Sequence, residues 1–225
     1  MRRTAVLAVT ATVLTLLTGC QGDDGPATAG AFDPAEAVAK GGKEPYAVTV
    51  KATHALDASG GTARLNLNTA FTGRWEMKAG DGSVQETVTT ADADYLRGHD
   101  ATGTWLKTPR SREVSDFDYG GYAKLLLAQG ASARKGMETT DGVPTYHLAG
   151  HLGVDRLAGP LPSAHRALTA AGVTGIDLDQ WIDAQGRTRR VEQAMVVDGR
   201  KDVLELVFGD FGPAETFDAP GPVAD

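Results

Sequence analysis

The feature that most restricts the fold is an alternation of period two that returns along the chain between short turns. From Tyr46 to Leu56 the even positions, among them Val48, Val50, Ala52 and His54, are mostly apolar, and the odd ones are mostly polar or small. From Ala63 to Phe71 the odd positions carry the apolar set, with Leu65, Leu67 and Phe71. Period two means a strand with one buried face. The turn residues Asp57 to Gly61 join these two strands into a hairpin. Asp81-Gly82 leads into a strand at Ser83–Thr90, and Tyr95–His99 and Trp105–Lys107 continue the series around a Gly98–Gly103 loop. Arg134–Thr140 and Val143–Leu152 flank Asp141-Gly142, a strong hairpin signal. The C-terminal part reads as a meander, Val173–Asp183, Arg187–Asp198 and Lys201–Phe208, with turns at 184–186 and 198–199. An extended segment, Gly209–Pro220, follows it.

Three helices interrupt the strands. Asp33-Pro34-Ala35-Glu36 supplies an N-cap, a proline at the first position and an early acid, and Gly41-Gly42 stops the helix. Ser115-x-x-Asp118 forms a capping box ahead of Tyr122, Leu125, Leu126 and Gln129, which share one helical face before Gly130. Leu157 to Ala171 is apolar at helical spacing through Leu157, Leu161, His165 and Leu168, with Ser163 as an N-cap and Gly172 as a C-cap. Helices outnumbered by strands must cover one face of the sheet. The expected fold is therefore α+β: a single large curved antiparallel sheet, a half-barrel, with helices covering its concave face. With 28 Gly, 10 Pro and 6% aromatic residues, the core is lean and the turns are many. No repeat or internal boundary divides residues 32–225, a length that one domain can fill.

The first residues carry a different signal. Arg2 and Arg3 precede an uncharged run, Ala5 to Leu17, of signal-peptide length. Leu17-Thr18-Gly19-Cys20 then resembles the lipobox of bacterial lipoprotein signal peptides at all four positions. This implies removal of residues 1–19, lipidation (diacylglyceryl and an acyl chain such as palmitate) on Cys20, and anchoring to the extracytoplasmic face of the cell membrane. Cys20 is the only cysteine, so the fold rests on its core rather than on disulfides. Residues 20–31 form the lipidated N-terminus and a small, Gly-rich tether with a reach of roughly 20 Å. Removing two arginines and no acid takes the formal charge from −7 to −9. That balance argues against nucleic acid as a partner.

Two segments resemble a known group. Gly172 to Val191, GVTGIDLDQWIDAQGRTRRV, is similar to the W-I-D-x-x-G-x-x-R-R hairpin of actinobacterial lipoproteins of the LprG/LppX type, in the LolA-like superfamily. Phe208 to Pro220, FGDFGPAETFDAP, is similar to the ending of the same group. The resemblance implies a half-barrel with an apolar cavity beneath its helices. In that superfamily the cavity takes acyl chains of lipids, glycolipids or lipoproteins for transfer between membranes. Related half-barrels instead act as envelope-stress sensors that restrain a sensor kinase or anti-sigma factor through protein contacts. This chain departs from the large carriers by placing many Ala, Thr and Gly on the expected inner positions.

The candidate cavity residues are the apolar stripes: Val48, Val50, Leu65, Leu67, Phe71, Leu125, Leu126, Leu157, Leu161, Leu168, Ile176, Leu178 and Met195. His54 joins them as a wall residue bonded to a neighbour. His147 and His151, four apart on a strand, stand about 13 Å from each other, too far for one metal ion. Asp177, Asp179 and Asp183 share the parity of Trp181 and form a solvated outer face, with Arg189 and Arg190 as cross-strand partners. No nucleophile elbow, zincin helix, phosphate loop or cofactor motif is present, so an enzyme is not expected.

Overall fold

The computed structural model describes residues 31–98, 103–110 and 119–224. The expected signal peptide, Cys20, the expected tether up to residue 30, the expected cap at Ser115–Asp118 and residues 99–102 lie outside the described residues. The strands are β1 Tyr46–His54, β2 Gly60–Leu67, β3 Thr72–Lys78, β4 Val84–Thr89, β5 Ala93–Gly98, β6 Leu106–Pro109, β7 Arg134–Thr140, β8 Val143–Gly153, β9 Gly175–Asp183, β10 Thr188–Val197 and β11 Arg200–Pro213. The helices are α1 Pro34–Lys40, α2 Tyr119–Leu127 and α3 Pro162–Ala170. All eleven strands form one open antiparallel sheet in the order β6-β5-β4-β3-β2-β1-β11-β10-β9-β8-β7. Neighbours in the sheet are neighbours in the chain except at the centre, where β1 meets β11 and the first and last strands join two meanders.

The register puts one apolar stripe on the concave face. Val48 stands opposite Leu65 and Val50 opposite Ala63 on β2, and Val50 opposite Phe208 on β11. Further along, Gln193 faces Leu178, which faces Gly150 on β8. Helix α2 lies on this face, with Leu126 fully buried. A Cβ at Gly150 would fall 2.5 Å from the Gln129 side chain and 3.3 Å from Leu126, so a bare backbone on β8 lets the helix sit close.

Helix α1 starts as expected: the Asp33 carboxylate accepts from the backbone N–H groups of Ala35 (2.7 Å) and Glu36 (3.0 Å). Its last turn docks on the β9–β10 turn, where Gly186 adopts φ +75°. A Cβ there would lie 2.0 Å from the Ala37 carbonyl oxygen. The stretch expected as one helix over 157–171 is two pieces, a 3-10 turn at Val154–Leu157 and then α3. Pro160 and Pro162 account for the break, since neither can donate to a preceding turn. Pro162 takes the first helical position, Leu161 is the N-cap, and Ser163 instead accepts a hydrogen bond from Arg166 at 3.0 Å.

Both sheet edges are blunted. β6 has four residues, among them Lys107 and Pro109, and β7 is irregular between Arg134 and Gly136. The convex side of the β4–β6 wing has its own small cluster of Val88, Ala93, Tyr95 and Trp105. The chain end closes over it: the Trp105 N–H donates to the Pro222 carbonyl at 2.9 Å, and the Ala224 N–H donates to the Trp105 carbonyl at 2.8 Å. Among the described residues no helix is long and apolar enough to cross a membrane.

Candidate ligand-binding cavity

Helices α1 and α2 pack over β8 and β9 and leave β1–β3 thinly covered, on a floor of small side chains. Ala52 stands opposite Gly61, Gly61 opposite Met77, and Ala63 opposite Trp75. From the other side β11 supplies Leu204 opposite His54 and Leu206 opposite Ala52. With Val50, Thr62, Leu65 and Tyr119, these residues line a half-open cavity of about 250 Å3. The cavity exists because Ala52 and Ala63 stand where the sheet could have carried larger side chains, beside a glycine. Gly61 could not be larger, since a Cβ there would meet the Glu76 carbonyl oxygen at 2.1 Å.

Tyr119 forms an aromatic wall where α2 begins. Its ring meets Phe208 edge-on at 5.0 Å and stacks on Tyr122 at 6.2 Å. Burial pushes both hydroxyls upward, Tyr122 to about 12, so both remain neutral at physiological pH.

One polar pair interrupts the apolar lining. His54 ends β1 on the cavity face, and its Nδ1 lies 3.0 Å from Asp202 Oδ2. The other oxygen, Asp202 Oδ1, accepts from the Leu56 N–H at 3.2 Å. Burial works to raise the Asp202 carboxyl. The hydrogen bonds from His54 and the Leu56 backbone outweigh it and hold the group below the ordinary carboxylate range. Asp202 thus keeps its charge and fixes the direction of the imidazole.

Of the sequence candidates, Val50, His54 and Leu65 line this cavity. Val48, Leu67 and Phe71 lie in the packed core beside it, Phe71 with its ring 5.8 Å from that of Trp75. Leu126, Leu157, Leu161, Ile176 and Leu178 are buried in the core, with Leu125, Leu168 and Met195 partly buried against it. The sequence reading did not single out Ala52, Gly61, Ala63, Trp75, Met77, Tyr119, Leu204 or Leu206. Two of them carry a sequence signal: Gly73, Trp75 and Met77 alternate with Arg74 and Glu76 along β3. The alanines and the glycine contribute by omission, which an apolar-stripe search does not see.

The outer face corrects the expected partners of the acids. Asp179 and Asp177 pair with histidines, not arginines: His147 Nε2 lies 2.7 Å from Asp179, and His151 Nδ1 lies 2.8 Å from Asp177. His147 also meets Glu138 at 2.8 Å and stacks flat on Trp181 at 4.4 Å. The Trp181 indole N–H donates to Glu138 at 2.7 Å. That bond above all lowers the Glu138 carboxyl; burial opposes it, and His147 adds to the lowering. Arg190 bridges Glu192 and Glu205, and Arg189 lies over the Phe211 ring at 4.8 Å. Asp183 is not solvated. It is buried and accepts from the Gln185 and Arg187 N–H groups, both at 3.0 Å, and from the Arg187 side chain at 2.8 Å. Among the described residues no group of three or more His, Cys, Asp or Glu is placed to hold a metal ion.

No family model matches the chain, and no curated protein does. Solved structures do. LprF from Mycobacterium bovis superposes with a TM-score of 0.54 at 14% identity, over 84% of this chain and 97% of that one. LppX from Mycobacterium tuberculosis gives a TM-score of 0.46 at 14% identity, over 82% of this chain and 94% of that one. The LprF match shows the fold: an open antiparallel half-barrel like that of LprF.

Proposed function

We propose that this protein is a lipid-anchored extracytoplasmic binder of an apolar ligand, an acyl chain of a lipid or glycolipid, held on the concave face between β1–β3, β11 and the start of α2. The observation that carries this reading is the cavity. A packed interior has few voids larger than a water molecule, whereas here about 250 Å3 stands open over Val50, Leu65, Trp75 and Leu206. The volume lies just under the usual range for ligand sites, about 300–1,000 Å3. It fits one chain better than several.

The lipobox at Leu17–Cys20 and the tether after it support placement near the outer leaflet, where acyl chains are found. Intact-mass analysis should show a diacylglyceryl adduct on the membrane-extracted protein, and Cys20→Ala should release a protein without the adduct.

Native mass spectrometry of protein purified without detergent and then mixed with lipid vesicles tests the binding directly. The expected result is a one-to-one complex with a single-chain lipid, retained on desalting. Failure to take up any lipid, together with an altered envelope-stress reporter in a deletion strain, would move the function to protein contacts on the surface of the half-barrel.

A further inference from the structure

The His54–Asp202 pair has a chemistry that an apolar cavity does not need for its own stability. Both groups could be apolar, and the end of the hairpin would bury them with less cost. The Asp202 carboxylate, held ionised, faces Nδ1 at 3.0 Å, so Nδ1 carries the proton and donates. In the neutral imidazole Nε2 is then an acceptor. Nε2 has no hydrogen-bond partner among the described residues, and His54 lies in the cavity lining with its side chain about one-third exposed. A second carboxylate stands close by: Asp57, kept low mainly by hydrogen bonds from Ser59 and in part by His54. The rim of an apolar cavity therefore presents one oriented acceptor backed by two negative charges.

We propose that His54, positioned by Asp202, is the polar station of the cavity, and that it selects single-chain amphiphiles whose head carries a hydroxyl over those whose head is a carboxylate. This rests on the reading of the cavity as a ligand site. A hydroxyl donates to Nε2. A carboxylate offers no proton and meets the field of Asp202 and Asp57. The volume of about 250 Å3 sets the tail: it has room for a single chain.

The test is displacement of N-phenylnaphthylamine from the full chain by monodecanoylglycerol and by decanoate, in mildly alkaline buffer. The chain should bind monodecanoylglycerol about threefold to tenfold more tightly than decanoate, the range one hydrogen bond supplies. His54→Ala should remove that preference, and His54→Gln, which keeps an acceptor, should retain part of it. The ratio of the two affinities is the readout, so a modest loss of stability in a variant does not mimic the effect. Equal affinities in the unmodified chain, or a preference unchanged in His54→Ala, would overturn the polar station and leave the cavity reading standing. Binding of neither amphiphile, and of no dye, would overturn the cavity reading and the station with it.

Discussion

At the scale of single residues, two glycines with the same backbone angle separate conformational strain from steric fit. Gly186 and Gly199 both adopt φ +75° in β-turns. A Cβ at Gly199 meets nothing within 4 Å, whereas at Gly186 it meets the Ala37 carbonyl at 2.0 Å. Gly199→Ala should therefore lose only the left-handed penalty, about 1–2 kcal/mol. Gly186→Ala should lose that and the docking of α1 as well. Urea unfolding of both variants measures the difference, and equal losses would mean that α1 is not pinned by this contact.

Asp202 gives a prediction in pH. Its folded carboxyl lies below the ordinary value of 3.8, so the stability it contributes is present above that value and fades as pH falls through the lower folded value. The stability gap between the unmodified chain and Asp202→Asn should be flat near neutral pH and should close in acid below 3.8. A gap that widened in acid would reverse the sign of the linkage.

At the scale of elements, strand patterns were read better than the boundaries of helices. The hairpin at Asp141-Gly142 formed where the alternation and turn chemistry placed it, with φ +50° and +76° at the two turn residues. The β9–β10–β11 meander followed the expected segments, and β11 ran on past Phe208 to Pro213 because β1 offered it a partner as far as Tyr46. Such long-range pairing is not written in the local pattern. The stretch 157–171 had helical spacing throughout, yet two prolines outweighed it. Asp177 and Asp179 are open to solvent while Asp183 is buried, and the register, not the spacing, decides that histidines on β8 meet the first two.

The packing of α2 also belongs to this scale. Leu126 is fully buried over Gly150, so Leu126→Ala should cost about 2–5 kcal/mol in chemical denaturation. Because Leu126 is not in the cavity lining, the surviving folded fraction should keep its affinity for apolar ligands.

At the scale of the whole molecule, the half-barrel is asymmetric in how its concave face is used. The β7–β10 side is filled by helices and large aliphatic side chains, as in an ordinary core. On the β1–β3 side, Ala52, Gly61 and Ala63 hold the place of a core and leave it unfilled. The small residues on the expected inner positions are thus the ones that border its cavity. The apolar stripes were legible in the sequence. Which of them would be covered depended on where three short helices came to rest, and that is a property of the assembled sheet.

Filling the void separates ligand binding from folding most directly. Ala63 faces Trp75 across the strand pair and lines the cavity floor, and Leu there adds buried apolar volume where space is already open. N-phenylnaphthylamine titrations and thermal melts of the unmodified chain and Ala63→Leu should be run side by side. Ala63→Leu should keep or raise its melting temperature and lose dye and lipid uptake together. Undiminished uptake in a well-folded Ala63→Leu protein would contradict this, because the ligand would then sit somewhere other than this cavity.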